Sequence, residues 1–127
     1  MTAVLETAAP DTILTDTWVK TSWQEFQSLA NASKYANGRF YYDQGLMRIE
    51  MAALGPIHGR DNAVVARLIN LFATLRSIRI LEFTNTSFTK TEIRECQPDS
   101  SFYIGNIAKL PPRNNSAVDL NTYEPPT

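Results

Sequence analysis

The segment Arg39-Phe40-Tyr41-Tyr42-Asp43-Gln44-Gly45-Leu46-Met47-Arg48-Ile49-Glu50-Met51 decides the fold class. Aromatic and aliphatic residues flank a short loop ending in glycine, the pattern of a β-hairpin. Alternation in the second arm sends Met47, Ile49 and Met51 to one face and Leu46, Arg48 and Glu50 to the other. Directly downstream the period changes. After Pro56-Ile57-His58-Gly59, apolar residues fall at Val64, Val65, Leu68, Ile69, Leu71, Phe72, Leu75 and Ile78. At about 100° per residue they fill one half of a helical wheel. A helix is expected over roughly 57–76, with this stripe toward the core. Ala63, Ala66, Asn70, Ala73 and Thr74 form its outer side, which a further element could cover.

Upstream, Thr21-Ser22-Trp23-Gln24-Glu25 reads as a helix start, with Ser22 as cap and Glu25 at capping-box spacing. Trp23, Phe26 and Leu29 continue it as a short apolar stripe to about residue 33, and Tyr35-Ala36-Asn37-Gly38 is turn chemistry. Downstream, strands are expected at 79–84 and 87–90, around Asn85-Thr86, and at 98–104, ended by Gly105. Proline is tolerated at the first position of a strand, where no ladder donor is needed. In that last strand Phe102 and Ile104 are assigned to the core, and Asp99, Ser101 and Tyr103 to the opposite face. The chain divides into a loose arm over 1–20, an α+β domain over 21–105, and a Pro/Asn-rich loop or truncated tail over 106–127. Antiparallel strands with helices laid on them indicate α+β, not a doubly wound nucleotide-binding fold.

Composition narrows the function. The 127 residues fit one domain, and 43% hydrophobic residues suit a packed core. Twelve Lys and Arg against thirteen Asp and Glu give a net charge of −1, so contact with nucleic acid must use a local patch. The single cysteine, Cys96, excludes an internal disulfide, and the single histidine, His58, excludes zinc sites built from several His and Cys ligands. There is no apolar run of about 18 residues, no basic-then-apolar leader and no glycine-rich phosphate loop. A soluble, cytoplasmic protein with no membrane contact is expected.

Five residues are candidates for chemistry. Asp99 opens a strand after a proline; a carboxylate at a sheet edge suits Mg²⁺, which takes oxygen ligands. Its ordinary alternative is a strand-start aspartate satisfying local amides. Glu50 ends the hairpin's second arm, and with Asp99 it would share a metal able to polarise a phosphodiester and activate water. The alternative is a solvated Arg48–Glu50 face. His58, in the first helical turn, stands where amides and dipole favour an anion, and is placed to donate to a phosphate or move a proton; otherwise it is a packed or solvated residue. Arg60 and Arg67, seven apart, form a phosphate rail or an ordinary exposed edge. Cys96 is expected as a buried or half-buried thiol, not a nucleophile.

Taken together, Trp23-Gln24-Glu25-Phe26, Arg48-Ile49-Glu50-Met51, His58-Gly59-Arg60 at a helix start and Gln97-Pro98-Asp99-Ser100-Ser101-Phe102-Tyr103-Ile104 resemble the Uma-two family of restriction endonucleases, in the PD-(D/E)XK nuclease superfamily. The resemblance covers most of 21–127. It implies a restriction-endonuclease-like mixed sheet flanked by helices, acting on DNA with Mg²⁺. Asp99 takes the metal-ligand position, and Glu50 and His58-Gly59 match usual family positions. The family pattern continues after such a Pro-rich loop into a Leu/Val-rich strand carrying a glutamate, then a helix supplying a lysine. Here Tyr123-Glu124-Pro125-Pro126-Thr127 stands about where that strand would begin, and neither group is found. The fold is therefore expected to be incomplete at its C-terminus and the metal weakly held.

Three functions follow as expectations. One is a Mg²⁺-dependent endonuclease, weakly active or inactive. Another is a non-catalytic interaction domain, forming a homodimer or self-associating through an open sheet edge. The last is a nucleic-acid binder without chemistry, using Arg60, Arg67, Arg76 and Arg79.

Overall fold

In the computed structural model, which describes residues 13–51 and 55–127, the elements run β1 (Trp18–Lys20), α1 (Trp23–Ala30), β2 (Arg39–Asp43), β3 (Leu46–Glu50), α2 (Pro56–Leu75), β4 (Ile80–Thr84), β5 (Phe88–Lys90), β6 (Arg94–Cys96), β7 (Ser100–Ile104) and β8 (Val118–Asp119). The hairpin forms as its residues dictate. Tyr42 pairs with Met47 and Asp43 with Leu46. Gln44 and Gly45, both at positive φ (47° and 91°), make the two-residue turn that matches strand twist. Met47 and Ile49 are fully buried, whereas Met51, one residue past the strand, is exposed.

Helix α1 starts at the expected capping box: the Ser22 hydroxyl accepts from the Glu25 amide at 3.2 Å, and the Glu25 carboxylate accepts from the Ser22 amide at 3.3 Å. Its stripe buries Phe26 against Tyr42, Met47 and Ile49, and Trp23 stacks edge-on against Tyr42 at 5.0 Å. This is the first of two apolar clusters.

The stretch expected as a loose arm contributes a strand. β1 runs antiparallel to β3, with Val19 opposite Met47, covering an edge that the hairpin would otherwise leave unpaired. Residues 1–12 of that arm lie outside the described residues. The remaining strands extend a mixed six-stranded sheet in the order β1-β3-β2-β6-β5-β8, in which β5 and β8 are parallel; β4 and β7 form a separate antiparallel pair. β4 and β5, which flank Asn85-Thr86, are therefore not partners. Asn85 in the left-handed region (φ 49°) turns the chain from one sheet to the other.

Two expectations about facing are corrected. In β7, Ser101 and Tyr103 are buried, whereas Ile104 is exposed. Tyr103 meets Phe83 edge-on at 5.6 Å and joins Phe88 and Val118 in the second cluster, so the odd residues face inward. Asp99 stands at the bend before the strand, where alternation does not yet apply. Helix α2 spans the expected residues but turns its other side to the protein. Ala73 is buried and Asn70 donates to Glu82 on β4 at 2.7 Å, while Leu68, Phe72 and Leu75 are exposed. The side that meets the protein carries the small and polar residues, and the bulky stripe points away. The helix stops in a Schellman motif, with Ile78 N–H bonded to Ala73 O and Ser77 at φ 53°.

The Pro/Asn-rich segment carries β8, which packs Val118 into the second cluster, and the Tyr103 hydroxyl donates to Glu124 O at 2.7 Å. Cys96 is exposed, because alternation along β6 turns Glu95 inward instead.

Candidate functional site

Asp99 is positioned by three constraints. Pro98 precedes it, β7 begins one residue later, and its carbonyl accepts from the Asn85 amide at 3.1 Å. Its side chain reaches a cleft of about 330 Å³ between the N-terminal half of α2 and the ends of β4 and β7. There Oδ1 forms an ion pair with Arg39 Nη1, and Oδ2 lies 3.2 Å from His58 Nε2. Arg39 also donates through Nη2 to Asn85 Oδ1 at 3.0 Å. Asp99 therefore holds together the hairpin, the α2 start and the β7 entry.

His58 lies in the first turn of α2, as the sequence places it. Gly55 caps that helix without a side-chain bond, so the dipole and amides of the first turn face the cleft uncapped by any side chain. Asn62, one turn on, puts Nδ2 3.0 Å from His58 Nε2. The same ring nitrogen therefore faces both the Asp99 carboxylate and the Asn62 side-chain amide.

Glu50 is opposite Arg39 in the β2–β3 register, on the hairpin's polar face. Its carboxylate accepts from Arg48 Nε at 3.0 Å. Tyr41, on the same face, donates its hydroxyl to Gln97 O at 3.0 Å, which ties the hairpin to the backbone two residues before Asp99. Burial, with the Glu50 charge second, pushes the Tyr41 phenol above its ordinary value, so the hydroxyl stays a donor. Arg60 and Arg67 are exposed and do not line the cleft.

A magnesium ion takes oxygen donors in near-octahedral geometry. Here one oxygen of Asp99 faces a guanidinium and the other a histidine, and Glu50 faces Arg48. Among the described residues no group of three His, Cys, Asp or Glu side chains comes together. The donor set as arranged does not fit the ion; the positive charge beside Asp99 is that of Arg39.

Sequence reading missed Arg39, Asn62 and Asn85. Arg39 was within reach, since the hairpin turn fixes its pairing with Glu50, and Asn62 stands four residues from His58 on one helical face. Asn85 gave no signal, because only the meeting of two sheets brings it to Arg39.

A family model described as "Uma2: Putative restriction endonuclease" matches residues 23–127. No curated protein and no solved structure matches the chain. The matched span takes in helix α1, the hairpin, the His58 turn and the Asp99 bend, and the mixed α+β architecture agrees with a restriction-endonuclease-like fold. The chain belongs to the Uma2 family of restriction-endonuclease-like proteins, within the PD-(D/E)XK superfamily.

Proposed function

We propose that this chain engages a DNA phosphodiester in the Asp99 cleft and hydrolyses it slowly. The contact of Asp99 with both Arg39 and His58 at the start of α2 carries this reading. Arg39 and the amides of the first helical turn attract a phosphate. His58 is placed to take a proton from water or return one to a leaving oxygen. Asp99 orients both groups. Rate is limited because the Asp99 carboxylate is shared between two partners, Arg39 and His58. Dependence on Mg²⁺ is expected to be weak, since an ion at Asp99 must displace a guanidinium. A cytoplasmic location goes with this reading; among the described residues no helix is long and apolar enough to cross a membrane.

Nicking of supercoiled plasmid, with Mg²⁺ and with chelator, tests it against Asp99→Ala. We expect slow nicking that falls at least about tenfold in the variant, the scale of loss typical for one positioned catalytic group. Equal nicking by both proteins overturns the assignment of Asp99.

A second reading, self-association through a sheet edge, rests on the separate β4–β7 pair. Part of β7 is already met by the chain itself: Thr127 N–H donates to Phe102 O at 2.9 Å, and Ile104 N–H to the Thr127 hydroxyl at 3.0 Å. That leaves the edge less open than the sequence suggests.

A further inference from the structure

The outer face of α2 is a broad apolar surface exposed to solvent. Seven large apolar side chains from Ile57 to Leu75 are between 45% and 78% exposed. Together they present on the order of 700 Å² of apolar surface, near the ~800 Å² per partner that a standard stable interface covers. Isolated patches above a few hundred Å² mark interaction sites. Leu68, Leu71, Phe72 and Leu75 also enclose a shallow apolar groove, the shape that a helix ridge fills.

We infer that two copies of this chain pair through α2, antiparallel, about a two-fold axis passing between Leu68 and Ile69. The charges on the helix select this occupant. That axis sets Val65 of one copy opposite Phe72 of the other, and Asp61 opposite Arg76 on the same side of the seam. Asp61 and Arg76 are both exposed, and among the described residues neither forms an ion pair within the protomer. The Arg76 guanidinium already lies over the Phe72 ring, 5.8 Å from its centre, at the edge of the groove. In a parallel pairing Asp61 and Arg76 would lie roughly 22 Å apart along the seam, at about 1.5 Å of rise per residue, and could not meet. The antiparallel arrangement is self-complementary, as a two-fold interface requires. His58, Asn62 and Ala66 line the cleft on the opposite side of the helix, so pairing leaves both clefts open and pointing outward.

Light scattering coupled to size exclusion, over about a hundredfold range of concentration, measures the equilibrium by mass action. The wild-type chain should approach twice its 14.3 kDa mass. Leu68→Glu with Phe72→Glu should run as a monomer with the same circular dichroism, both positions being solvent-exposed. Asp61→Arg or Arg76→Asp alone should weaken the dimer several-fold, and the two together should restore it. A wild-type monomer throughout, a polydisperse aggregate, or a charge swap that restores nothing overturns the proposal. None of these readouts involves DNA, so failure of the nuclease reading leaves the mass measurement standing, and the reverse also holds.

Discussion

Glu95 is the inward residue of a strand whose neighbours Arg94 and Cys96 face solvent. Burial raises its pKa, opposed by a hydrogen bond from Thr89. The folded state therefore holds the Glu95 proton to higher pH than the unfolded chain does. This contribution is fully favourable below the ordinary glutamate value near 4.5, and is lost as the pH rises through the raised folded value. Glu95→Gln keeps a polar partner for Thr89 and removes the charge. Its thermal midpoint should exceed that of the wild type at neutral pH, and the two should converge in acid; a variant less stable at neutral pH would contradict this. Asp99 shows what the sequence could and could not give at this scale. Its place at a strand start was legible from Pro98, but its partner Arg39 lies far away in sequence and in another sheet. No local rule connects the two.

The two helices differ in how far sequence fixed them. Helix α1 is specified by neighbours within one turn of its start: Ser22 and Glu25 exchange hydrogen bonds, and Phe26 follows on the buried face. Removal of the cap by Ser22→Ala should cost about 1 kcal/mol in urea or guanidinium unfolding. The Glu25 pKa is lowered, first by the Ser22 amide and then by the Thr21 hydroxyl. That contribution is present above the ordinary glutamate value and is lost as the pH falls through the lowered one. Loss of the Ser22 hydroxyl leaves the Ser22-position amide in place, so most of this acid dependence should persist in Ser22→Ala. Helix α2 was placed to within a residue at each end, yet turned the wrong way. A wheel reports that two faces differ; it does not report which neighbour arrives. The side that meets β4 is the one where Asn70 bonds Glu82 and Ala73 is buried.

At the scale of the molecule, two apolar clusters, one under the hairpin and α1 and the other around Phe88, Tyr103 and Val118, are joined by a sheet that runs through both. The near-zero net charge gives no broad electrostatic attraction for DNA. Binding should rest on a few local contacts, so the slope of log affinity against log salt should lie at about −1 to −3, as for one to three neutralised phosphates. A much steeper slope would reveal a basic surface that this charge balance lacks. The sequence by itself determined the hairpin and its face, the cap of α1, the length of α2 and the stationing of His58 and Asp99 at element starts, because each depends on residues within a turn or two. Only the tertiary structure decided that Trp18–Lys20 joins the sheet, that Tyr103 faces inward, that the large stripe of α2 stays outside and that Arg39 meets Asp99. Those outcomes come from contacts between segments distant along the chain, where closure and packing, not local propensity, select the partner.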